Sequence, residues 1–91
     1  MEKRFIVARS EDVTLLSEDE LHDLLSLGTI SNMVIIDRDH MENASLAMCS
    51  DIVIKCTNNP LVFMLSMEIL KQCFDEKDYK GIDTLLTTLI N

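Results

Sequence analysis

The sequence predicts one α+β domain spanning residues 1–91: a small N-terminal β-hairpin and strand-helix-strand unit, then about three helices, the last two an antiparallel hairpin. Three observations lead there. The first forty residues alternate short aliphatic runs with clusters of turn formers. A well-signalled helix start, Ser17 with Glu20 three residues on, stands between those runs. Beyond residue 40 the apolar residues recur at helical spacing, and the one proline sits where a helix would begin.

Phe5-Ile6-Val7-Ala8 is a run of strand formers, Ser10-Glu11-Asp12 are turn formers, and Val13-Thr14-Leu15-Leu16 suits a second strand. A hairpin with a short polar loop is the simplest reading. Ser17 then caps a helix in which Leu21, Leu24 and Leu25 form the apolar stripe, and Gly28 suits the left-handed residue that ends it. Met33-Val34-Ile35-Ile36, followed by the polar stretch Asp37-Arg38-Asp39-His40, reads as a strand buried on both faces and a solvated turn.

Met41, Ala44, Met48, Cys49, Ile52, Val53 and Cys56 recur at helical spacing. Asp51–Cys56 is also rich in β-branched residues, which would suit a strand, but the longer pattern favours helix. Asn59 as N-cap with Pro60 at the first helical position starts the next helix, expected to reach Phe74. It is apolar on nearly every side, so it is either central to the core or shared with a partner. Asp75 is expected to cap the last helix, whose stripe is Tyr79, Ile82, Leu85, Leu86, Leu89 and Ile90 despite the helix-weakening Gly81.

Composition narrows the function. Sixteen Asp and Glu against eight Lys and Arg give a net charge of −8, which repels phosphate and anionic lipid, so neither nucleic acid nor a membrane surface is an expected partner. Leu61–Leu70 is the most apolar run and is too short to span a bilayer. Cys49, Cys56 and Cys73 are an odd set without a CxxC pair, which points to buried reduced thiols and a cytoplasmic location. Hydrophobic residues make up 47% of a chain whose small size leaves a thin core, so an association surface is expected.

Catalytic and metal motifs are weak. Asp37, Asp39 and His40 fail the EF-hand spacing, because Met41 and Glu42 stand where a ligand and the glycine belong. His22 falls on the polar arc of its helix, away from any cysteine. Asp51 and Lys55 imitate the end of a nuclease motif without its upstream carboxylate, and neither a phosphate-binding glycine loop nor an Asp-Ser-Leu carrier site is present. The expectation is a non-enzyme with no cofactor and no metal.

The acidic stretch is the feature left over. Glu18, Asp19 and Glu20 offset the helix dipole in the first turn, which explains them structurally. Glu11, Asp12 and Asp23 are unexplained, with no Lys or Arg inside the stretch. The leading expectation is therefore a small acidic binding protein that occupies a basic, nucleic-acid-binding type of surface on another protein, using Glu11, Asp12, Glu18, Asp19 and Asp23. Phage-type inhibitors that mimic DNA and immunity proteins of nuclease toxins share that size and charge, an analogy of bulk properties only. The alternative is a homo-oligomeric regulatory or structural subunit associating through its apolar C-terminal helices. A homodimer with Phe63, Met64, Met67 and Leu70 at the interface is expected.

Overall fold

Short apolar runs become strands where they can pair. In the computed structural model, which describes residues 4–10, 12–28 and 32–91, β1 is Phe5–Ala8, β2 is Val13–Leu16 and β3 is Val34–Asp37. The sheet order is β2-β1-β3 and both pairings are antiparallel. Strands β2 and β3 therefore run the same way with β1 between them, and α1 (Glu18–Ser26) is the crossover that joins them. The third strand begins one residue later than expected and is not buried on both faces. It is an edge strand, and Ile36 is its one buried residue.

Alternation along β1 splits the molecule into two sides. Ile6 and Ala8 face the main core with Ile36, and Val7, also fully buried, points the other way. Leu21 of α1 is likewise buried outside the main core, so α1 covers the Val7 face. Of the expected α1 stripe, Leu21 is buried and Leu24 half-buried, whereas Leu25 is 49% exposed and does not face the core. A nine-residue helix on a three-stranded sheet offers too narrow a contact to bury three leucines. Gly28, just past the C-cap Leu27, has the positive φ expected of it, +124°.

The polar stretch after β3 is a 3-10 helix, Arg38–Asn43, kinked at His40, and it buries Met41. The helical reading of residues 41–56 is therefore broken in two. α2 is Leu46–Cys56, capped by the Ser45 hydroxyl, which accepts from the Met48 N–H at 3.1 Å. It is helix, not strand, because Cys49, Ile52 and Val53 all bury on one face at the expected spacing.

α3 is Pro60–Glu76, with Asn59 accepting from the N–H groups of Leu61 and Val62 at 3.0 and 3.4 Å. It runs two residues beyond Phe74 and ends in left-handed Lys77 (φ +57°). The cap of α4, Tyr79–Ile90, is thus Asp78, not Asp75, and its carboxylate accepts from the Gly81 N–H at 3.0 Å. α3 and α4 form the predicted antiparallel hairpin, and α2 packs on both and on the sheet. The main core joins Ile6, Ala8 and Ile36 to Ile52, Val53, Leu70, Ile82 and Leu86. Arg38, the first residue of the 3-10 helix, clamps that helix to α4 through a two-pronged pair with Asp83, at 2.7 and 3.1 Å.

Candidate interaction surfaces

Three regions carry the residues singled out from sequence. The first is the Asp37–His40 turn. The Asp37 carboxylate caps the 3-10 helix, accepting from the Asp39 N–H at 2.9 Å and meeting His40 Nδ1 at 3.0 Å. Partial burial works to raise the Asp37 pKa, but the Asp39 N–H and His40 together hold it below its ordinary value. The hydrogen bond and charge of Asp37 in turn raise the His40 pKa. Asp39 pairs with Arg4. Each carboxylate of the turn already has local work in the fold. Beside it, Ile35, Ile36, Asp37, His40, Asn43, Ala44 and Met48 line an open concavity of about 400 Å³. Among the described residues no three His, Cys, Asp or Glu side chains come together as a metal cluster.

The thiols are not poised for nucleophilic chemistry. Burial pushes the Cys49 pKa up to about 11, and burial also raises those of Cys56 and Cys73. Cys49 and Cys73 are buried as expected, while Cys56 is half-buried. Asp51 and Lys55 lie on a helix, so they lack the strand geometry of the nuclease motif they imitate.

The second region is the acidic face. Glu18, Asp19, Glu20, His22 and Asp23 are all exposed on α1. The predicted capping box forms: Ser17 Oγ accepts from the Glu20 N–H at 3.2 Å, and Glu20 accepts from the Ser17 N–H at 3.4 Å. The stretch itself holds no Lys or Arg, but the hairpin brings two arginines from just outside it. Phe5 pairs with Leu16 and Ala8 with Val13, so Arg4 arrives beside Glu18 (3.5 Å) and Arg9 forms an ion pair with Asp12. Asp19 and Asp23 have no ion pair among the described residues. Glu11 lies outside the described residues.

The third region is α3. Its inner face is Ser66, Leu70 and Cys73, all buried. Leu70, expected at a dimer interface, is 0% exposed in the chain's own core and is unavailable to a partner. Phe63 and Met67 are half-buried against that core, and Met64 is exposed. Of the eight large hydrophobic residues exposed among the described residues, five are on α3: Leu61, Val62, Met64, Leu65 and Ile69. Ile54, at the end of α2, is a sixth.

Sequence reasoning missed Leu61 and Leu65 because a helix apolar all round does not say which side is inside. A signal was present further along: Glu68 and Gln72 mark the outer arc, and stepping back by helical spacing from them reaches Leu65 and Leu61. From Cys56 to Met67 the chain carries no Asp, Glu, Lys, Arg or His.

Two shallow grooves flank α3. One, at the α2–α3 junction, is lined by Ile54, Pro60 and Phe63 with Thr57, Asn58 and Asn59. The other runs between α3 and α4 past Ile69, Cys73, Gly81, Leu85 and Thr88. Comparison of the chain with protein-family models, with the curated proteins and with the solved structures found no match.

Proposed function

We propose that this chain is a small non-enzymatic protein-interaction subunit whose contact surface is the outer face of α3. The observation that carries this reading is the exposed, charge-free apolar face formed by Leu61, Val62, Met64 and Leu65. Apolar area of that kind is stabilised when a partner removes it from water, by roughly 25 cal/mol per Å². Among the described residues no His, Cys, Asp or Glu cluster that could hold a metal competes with it.

A second reading rests on Asp19 and Asp23, which stay exposed and unpaired by the described cations. They would steer a basic surface toward α1 and speed its docking. Glu18 and Asp12 contribute less to that field than the sequence implies, since Arg4 and Arg9 partly neutralise them.

One comparison separates the two. Complexes held by the chain in its producing cells are sized by gel filtration for the double variants Leu61→Ser/Leu65→Ser and Asp19→Lys/Asp23→Lys. The first pair is expected to abolish the complex and the second to leave it intact in 0.5 M salt. Loss of the complex with the Lys pair alone would transfer the function to the acidic face.

A further inference from the structure

We propose that the groove between α1 and β2 is a second docking site, one that takes a lysine- or arginine-bearing segment of a partner protein. It goes beyond the α3 contact and gives the acidic face of α1 a defined occupant. Thr14 pairs with Val7 and Leu16 with Phe5, so the side chains of Thr14 and Leu16 stand on the Val7 face of the sheet, the one that α1 covers. Helix α1 buries only Leu21 there, and between it and β2 an open groove of about 550 Å³ remains. Leu16, Leu24 and Leu27 line it together with Glu20 and Asp23. Helix α3 packs on α2 and α4, on the other side of the sheet, so the two sites are separate.

Charge and shape together select the occupant. A long cationic side chain is apolar along its stem and charged at its tip. The groove carries the same division, with leucine side chains in its walls and two carboxylates three residues apart on one face of α1. Asp23 has no ion pair among the described residues. Glu20 accepts from the Ser17 N–H at 3.4 Å, which leaves its remaining lone pairs for a further donor. Arg9 is the one cation among the lining residues, and Asp12 already holds it. Leu27 is 82% exposed, more than any other large hydrophobic residue among those described, so an occupant lying along this wall also takes it out of water. The net charge of −8 favours the same class of partner and repels an anionic one.

The test uses a short fluorescent peptide of alternating lysine and leucine, and the same peptide with glutamate in place of lysine. At low salt the lysine peptide is expected to bind in fluorescence anisotropy and the glutamate peptide to stay free. Asp23→Asn should weaken the lysine peptide by roughly two- to fivefold, the range of an exposed ion pair. Leu27→Ser, on a side chain exposed enough to spare the fold, should weaken it by about threefold or more. Glu68→Gln, which removes an exposed charge from α3, should leave binding unchanged, as should Leu61→Ser/Leu65→Ser. Amide shifts in NMR should centre on Leu16, Leu24 and Leu27. A lysine peptide that fails to bind at low salt would overturn the proposal. Equal weakening by Asp23→Asn and Glu68→Gln would do the same, because it would mean general attraction to an acidic chain. Loss of the peptide on Leu61→Ser/Leu65→Ser would place it on α3 and overturn the second site while leaving the contact surface of α3 intact. The native complex, lost or kept on that same pair, decides the α3 reading separately.

Discussion

Arg4 comes beside Glu18 and Asp39 because antiparallel pairing, not distance along the chain, chooses its neighbours, whereas Arg9 meets Asp12 only three residues on, across the hairpin turn. The pair Asp37–His40 shows the same economy locally, a carboxylate that caps a helix and meets the imidazole within it. Its pH dependence follows in sign. The folded His40 pKa lies above the ordinary 6.5, so its contribution to stability is complete below that value and is lost as pH rises through the raised one. Asp37 is held below 3.8, so its contribution is present above that value and is lost as pH falls through the lowered one. An NMR titration of the imidazoles should place the His40 midpoint above 6.5, and Asp37→Asn should bring it down. An unchanged midpoint in Asp37→Asn would mean the contact is absent in solution.

Among the elements, α3 and its turn into α4 carry the most information. Lys77 adopts a left-handed conformation that favours glycine, and its backbone N–H closes the helix on the Phe74 carbonyl at 3.2 Å. The left-handed cost to an L-residue is roughly 1–2 kcal/mol, and glycine's extra chain entropy offsets about half of that. Lys77→Gly should therefore stabilise the fold by about 0.5–1 kcal/mol in urea titration, and a loss of stability would show that the Lys77 side chain contributes more than its backbone costs. Gly81, which looked like a flaw in α4, has a reason. A Cβ there would come within 2.5 Å of the capping Asp78 carboxylate and 3.1 Å of Cys73 Sγ. A side chain there would push the Asp78 carboxylate off its capping position and crowd the α3–α4 approach.

For the molecule as a whole, the arrangement of charge matters more than its total. The three described arginines are each paired with carboxylates, Arg4 with Asp39 and Glu18, Arg9 with Asp12, and Arg38 with Asp83. Five of the eight exposed large apolar side chains among the described residues gather on α3. Contact made through the apolar side chains of α3 does not depend on charge attraction, which salt screens over a Debye length of roughly 10 Å at 0.1 M. A complex held through α3 should accordingly persist between 50 and 500 mM salt in sedimentation equilibrium. Weakening over that range would point to charge-driven contact through Asp19 and Asp23 instead.

Local signals were legible in the sequence wherever one residue and its near neighbours decide the outcome. The Ser17–Glu20 capping box, the Asn59-Pro60 helix start, the positive φ at Gly28 and the order of strands and helices all belong there. The helical state of residues 51–56 was legible too, because the apolar spacing around it outweighed its β-branched residues. What only the tertiary structure decided depends on partners far away in sequence. The central place of β1 in the sheet, the arrival of Arg4 beside Glu18, and the burial of Leu70 while Leu61 and Leu65 face outward are of this kind. A helix apolar on every side gives no internal sign of which face is covered, and that choice is made by the elements that pack against it.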